Sequence, residues 1–151
     1  MPDTRHNRDF RSRDDRGSVA LDAAIVAPAL ILLIMLAILV GRTSAAASAV
    51  ADAAHDSARA ASLSRTASDA NRSANQAADA SLASAGSSCT SHRVEVNTGG
   101  FTVPVGQPAT VTVTLSCTVS YADLVAIPGM PGSKTLTTSF ISPLDQFRAR
   151  S

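Results

Sequence analysis

The sequence predicts an α+β fold: a long N-terminal transmembrane helix continues into an extracytoplasmic alanine-rich helix and ends in a small antiparallel sheet of three to four strands. Three stretches predict it. Ala23 to Gly41 is an unbroken uncharged run of nineteen residues. Arg42 to Ala85 is rich in alanine and serine and contains neither proline nor glycine. Ala109 to Ser120, ATVTVTLSCTVS, alternates strictly between apolar and hydroxylated residues.

The uncharged run can cross the hydrocarbon of a bilayer as one helix, which needs about 20 apolar residues. Arg5, Arg8, Arg11, Arg13 and Arg16 precede it, whereas Arg42 and then Arg59 follow. The arginine-rich flank stays cytoplasmic, so the N-terminus should lie inside and the residues beyond the run outside. Asp22 stands at the entrance of the run, five residues after Gly17. A carboxylate there is expensive in lipid unless a partner needs it; the alternative is an acid at headgroup level with no partner. Pro28 lies inside the run, where it removes one backbone hydrogen bond and kinks the helix, a defect membrane helices tolerate. Three fates fit such a segment: a permanent anchor, a leader trimmed on its cytoplasmic side, and a conventional secretory signal. The last has a shorter apolar core of roughly 7–15 residues, but Ala47-Ser48-Ala49 supplies small residues for its cleavage.

Alanine is the best helix former, so residues 42–85 should continue the helix as far as Gly86, a suitable C-terminal stop. Serine, threonine and asparagine between 64 and 76 weaken it and allow a break around Ser64–Ser73. Ala46, Ala53, Ala60, Ala67 and Ala74 recur every seven positions. Two readings fit: a solvated spacer, or a thin alanine seam against a partner helix.

Beyond Gly86 the composition turns to valine, threonine, glycine and proline. Val111, Val113, Leu115, Cys117 and Val119 point to one side of a half-buried strand, and the hydroxyls to the other. His92 to Asn97 reads as a second strand. Thr98-Gly99-Gly100 turns the chain into a short strand, Phe101 to Val105. Lys134 to Ile141 adds another through Leu136, Thr138 and Phe140. The end of the long helix should cover one face of this sheet. Leu124, Val125, Ile127 and Met130 should fold over its open edge or meet another protein. Cys89 and Cys117 are the two cysteines. On the extracytoplasmic side they should form a disulfide that staples sheet to helix; in a reducing compartment they would be buried thiols.

The chain has 151 residues, a net charge of +1, 3% aromatic residues and no tryptophan. That leaves room for one modest domain with accessories and no large aromatic core. It carries no electrostatic footprint for nucleic acid. His6, His55 and His92 lack metal-ligand spacing, and neither a Gly-x-Ser-x-Gly elbow nor a glycine-rich phosphate loop occurs. No enzyme, cofactor, metal site or small-molecule substrate is expected. Asn71-Arg72-Ser73 matches a glycosylation acceptor, a pattern short enough to be common by chance.

Gly17 to Pro28, GSVALDAAIVAP, resembles the leader and helix start of TadE/TadG-like pseudopilins, small membrane proteins of tight-adherence (Flp-type) pilus systems. The family pattern is a basic leader, a glycine, a small residue, an acid at the fifth mature position and an apolar helix with an early proline. Gly17, Ser18, Asp22 and Pro28 occupy those places. Asp22 replaces the usual glutamate, and Ala23 stands where an aromatic or large residue often follows. The resemblance continues in Ala45 to Ser62, AAASAVADAAHDSARAAS, and in the SPLDQFR of Ser142 to Arg148.

The resemblance implies a pilin-like fold and cleavage between Gly17 and Ser18 by a prepilin peptidase. It also implies subunit docking through Asp22 and Pro28, with other pilus or pseudopilin subunits as partners. The domains would then be a cytoplasmic leader (1–17), a transmembrane helix (18–41), an extracytoplasmic alanine-rich helix (42–86) and a small β head with a disulfide (87–151). The chain would be a single-pass protein of the bacterial cytoplasmic membrane, N-terminus inside, serving as a pseudopilin, minor subunit or assembly factor. A different class also fits: a secreted or membrane-tethered surface adhesin that binds through its β head.

Overall fold

The computed structural model describes residues 15–86, 89–125, 129 and 131–149, with the backbone alone for 15–22 and 125. The chain divides between Val40 and Gly41 into two compact units. Helix α1, Asp15–Ser62, begins in the first and ends in the second. In the first unit α1 carries the uncharged run, with Pro28 inside it. Its large apolar side chains, among them Ile25, Leu30, Leu33, Met35 and Ile38, are exposed.

The second unit is an α+β head. It contains the end of α1, helix α2 (Ala67–Ser84), strand β1 (Cys89–Asn97), a 3₁₀ turn (Gly99–Thr102), strand β2 (Thr110–Ser120), the short helix α3 (Tyr121–Val125) and strand β3 (Ser133–Pro143). The strands form one antiparallel sheet in the order β1-β2-β3.

The expected single helix from the membrane to Gly86 is corrected: it breaks between Ser62 and Ala67 and turns back. The break is capped locally. Thr66 has extended backbone, and its hydroxyl accepts a hydrogen bond from the Asp69 amide at 3.1 Å. The same hydroxyl donates to Asp69 Oδ2 at 2.9 Å, and Arg72 pairs with Asp69 Oδ1 at 3.1 Å. This Thr-x-x-Asp box satisfies a donor that the first turn would otherwise leave bare, worth about 1 kcal/mol. The two helices then run antiparallel. Ser64 Oγ donates to Ser73 Oγ at 3.3 Å, and Ser81 Oγ donates to Asp56 Oδ2 at 3.2 Å. Helix α2 stops where expected, at Gly86, whose φ of 62° is a conformation favoured by glycine.

The alanine-rich segment is therefore neither a solvated spacer nor a seam awaiting another molecule. On α1, Val50, Ala53, Ala54, Ser57, Ala58 and Ala61 are buried; on α2, Ala70, Ala74, Ala78 and Leu82 are. The spacing in both is three or four residues, the period of one helical face. Of the heptad alanines, Ala53 and Ala74 are buried and Ala46, Ala60 and Ala67 half-buried. Ser57 lies in the core because its hydroxyl donates to the Ala53 carbonyl at 2.6 Å, which satisfies it within its own helix.

Strand β2 is central, and its inward row is the predicted one: Val111, Val113, Leu115, Cys117 and Val119 are all buried. Val111 and Val113 meet Ala58, Ala61, Ala70 and Ala74 of the helices together with Phe101 and Leu144 in one cluster. The outward row pairs hydroxyls across β2 and β3: Thr114 with Ser139 at 2.8 Å, Ser116 with Thr137 at 3.0 Å, Thr118 with Thr135 at 3.1 Å.

Two further expectations are corrected. Phe101 to Val105 is no strand. Asn97 Oδ1 accepts from the Gly99 amide at 3.0 Å, the chain enters a 3₁₀ turn, and Phe101 drops into the core. Gly100 permits this because any Cβ there would overlap the Thr110 carbonyl oxygen. The disulfide joins Cys89 to Cys117, with Cα atoms 5.6 Å apart. Because β1 begins at Cys89 itself, the bridge ties β1 to β2 rather than sheet to helix. Of the apolar connection after β2, Leu124 is buried; Ile127 and Met130 lie outside the described residues and Val125 is described by its backbone alone.

Candidate functional site

The first candidate site is the start of α1. Gly17 and Ser18 lie within the helix, and so does Asp22. A helical backbone puts residues 18 and 22 one turn apart on one face. Pro28 lies a turn and a half beyond Asp22. From Ala23 to Gly41 the helix rises about 28 Å at 1.5 Å per residue, close to the ~30 Å of bilayer hydrocarbon. Each large apolar side chain left in water forgoes about 1.5–3 kcal/mol of burial. Eleven of them between Ile25 and Val40 are more than half exposed. That row needs lipid or protein around it, and this helix is long and apolar enough to cross a membrane. The leader ahead of Asp15, with His6 and most of its arginines, lies outside the described residues.

The second candidate is the surface of the head. His92 projects from the inward row of β1, and its Nε2 lies 2.7 Å from Asp79 Oδ1 of α2. This contact ties the sheet edge to the second helix. His55 lies 3.5 Å from Asp56 and sets its ring edge-on to Phe140, centroids 5.1 Å apart. Sequence reasoning read His55 and His92 as lacking metal-ligand spacing and assigned neither a partner. Pairing across elements has no local signal. The Thr66–Asp69 box did have one, the Thr-x-x-Asp spacing itself, and it marks the break that composition only suggested.

The C-terminal segment 144–148 is held at three points. The Leu144 amide donates to the Ala109 carbonyl at 2.8 Å, the Gly106 amide donates to the Gln146 carbonyl at 2.8 Å, and Arg148 donates to the Leu63 carbonyl at 3.1 Å. Phe147 remains 90% exposed.

Residues 17–59 match the family model described as TadE-like protein. The match covers the apolar run and the first part of the alanine-rich segment, and it starts at Gly17. It agrees with the resemblance read from Gly17 to Pro28. No curated protein and no solved structure matches the chain.

Proposed function

We propose, from a chain whose residues 17–59 are TadE-like, that this protein is a pseudopilin, minor subunit or assembly factor of a tight-adherence pilus or related secretion apparatus. The observation that carries the reading is the start of the family match at Gly17, ahead of an acid and an apolar span. The chain inserts with its arginine-rich leader in the cytoplasm, and a prepilin peptidase cuts between Gly17 and Ser18. Glycine leaves room for extended backbone in a protease site, so the helix around Gly17 unwinds to enter it. The new amine of Ser18 then lies four residues before Asp22, on the same helix face.

A carboxylate near a helix N-terminus is favoured by about 0.3–1 kcal/mol, and its pairing with an amine removes a penalty of a few kcal/mol in lipid. Where the amine belongs to a neighbouring subunit, the pair sets the register of stacking. The α+β head, held by the Cys89–Cys117 bridge, is displayed outside, the compartment in which a disulfide persists.

The mass of the mature N-terminus tests the proposal. A chain starting at Ser18 is expected. A start at Val50 would make the protein a secreted one, and an intact Met1 a simple anchor. Gly17→Leu should accumulate uncut precursor, and normal processing of that variant would refute the assigned cleavage site. Asp22→Asn should still be cut but should fail to co-purify with its neighbouring subunits.

A further inference from the structure

The two edges of the sheet are built differently. Strand β1 breaks register with β2 between Cys89 and Ser91 and carries His92, Arg93 and Glu95. A bulge and charges are the usual means of keeping another strand away from an edge. Strand β3 has neither defence along most of its length. Its register with β2 is unbroken from Ser133 to Pro143, and Lys134 is its single charge. Alternate residues of an edge strand direct N–H and C=O groups away from the sheet, so β3 offers a row of backbone donors and acceptors. Ile141 is 64% and Phe140 37% exposed at its end. A cavity of about 230 Å³ opens there between α1 and β3, bounded by His55, Arg59, Phe140, Ile141 and Pro143.

We propose that β3 takes up an extended segment of a different protein as a fourth strand, and that this segment carries carboxylates on its inward row. The charge arises from two cations at the ends of the edge. Lys134 lies opposite Val119 and Ser142 opposite Val111, so both belong to the inward row of the sheet. Arg59 borders the cavity beside Ser142. Among the described residues neither Arg59 nor Lys134 has a carboxylate partner.

A second copy of β3 is the wrong occupant. Paired antiparallel about Thr138, it would set its Leu136 against Phe140, a good match, but its Lys134 against Ser142. That brings a second cation to Arg59, and like charges across strands are unfavourable. An acid in the same place is attracted to Arg59, and a second acid eight residues away on the same row meets Lys134, about 27 Å along the strand. The occupant is thus an extended segment with apolar or β-branched residues between two acids. This inference rests on the head alone and does not require cleavage after Gly17, so an uncut leader would leave its outcome unchanged.

The test uses the full chain in detergent micelles and a capped nine-residue peptide, ETVTVTVTE, whose inward row is Glu-Val-Val-Val-Glu. Amide hydrogen exchange should show new protection in β3 as the peptide is titrated. The same peptide with lysines for its glutamates should bind about tenfold more weakly, since attraction worth up to about 1 kcal/mol per exposed pair becomes repulsion. Arg59→Glu should cancel that preference, because each peptide then meets one opposite and one like charge, and Arg59→Glu combined with Lys134→Glu should invert it. Proline placed at Thr137 and, separately, at Thr138 gives a second control. One of these amides faces away from β2, and the variant at that position should fold, as its bridged head and melting midpoint would show, yet fail to bind. Absence of protection in β3 at saturating peptide, protection at β1 instead, or equal binding of both peptides would overturn the proposal. So would protection of β3 that depends on the concentration of the chain itself without peptide, because the edge would then be a self-pairing interface.

Discussion

Reduction of the Cys89–Cys117 bridge should lower the stability of the head by an amount that follows from where the bridge lies. The two cysteines are 28 residues apart in sequence. In the chain-entropy model, closing a loop of about 29 residues removes roughly 3.6 kcal/mol of freedom from the unfolded chain. Cys117 is buried in the inward row of β2, opposite His92 on one side and Leu136 on the other, and Cys89 is partly exposed at the start of β1. A reduced Cys117 keeps its packing, so the loss is mostly the loop term. For a unit spanning residues 41–151, unfolding entropy of about 2.1 cal/mol/K per residue makes 3.6 kcal/mol equal to roughly 15 °C in midpoint. The assay is thermal unfolding of the full chain with and without reductant, beside Cys89→Ser, which keeps the buried partner. Oxidised protein should weigh 2 Da less than reduced, an estimate from the two hydrogens lost on forming one S–S bond (about 1 Da each). Reduced protein and Cys89→Ser should melt together about 15 °C below the oxidised chain. Midpoints of oxidised and reduced protein within about 4 °C, or a purified chain with both thiols free, would refute the reasoning.

Three further predictions concern the parts that make the head fold back on itself. Thr66→Ala removes the N-cap of α2 and should cost about 1 kcal/mol, read by denaturant unfolding, whereas Thr66→Ser should retain most of it. Ala74→Leu adds three carbons where α2 meets the sheet and should destabilise by about 1–3 kcal/mol through overpacking, while the same change at exposed Ala80 should leave the midpoint unchanged. Gly100→Ala forces a methyl group onto the Thr110 carbonyl and should displace the turn that buries Phe101. A loss of about 2 kcal/mol is expected, checked by urea titration together with the chemical shifts of Phe101.

The sequence by itself determined the elements whose pattern has one solution. Nineteen uncharged residues cannot be left in water, so the apolar span of α1 follows from length alone. Strict alternation from Thr110 to Ser120 has the period of a strand, and the row it predicts is the row that is buried. Gly86 ends α2 because glycine readily takes the left-handed conformation needed there. The family match starts at Gly17 and includes Ser18, Asp22 and Pro28.

Tertiary structure decided what composition leaves degenerate. In a stretch where alanine occurs on every face, periodicity cannot say which face is buried, nor whether the partner is another molecule or the same chain. The hairpin of α1 and α2 over the sheet settled both, because small side chains let two helices and a sheet approach closely enough to exclude water. The turn at Phe101 likewise followed from the depth of the core beneath it rather than from the Phe101–Val105 pattern. The placement of the disulfide within the sheet, and the contrast between a defended β1 edge and an open β3 edge, depend on which strand lies in the middle. Strand order is a global minimum over all pairings, set by the burial of β2 on its inner face and its pairing on both sides. No single strand carries that information in its own residues.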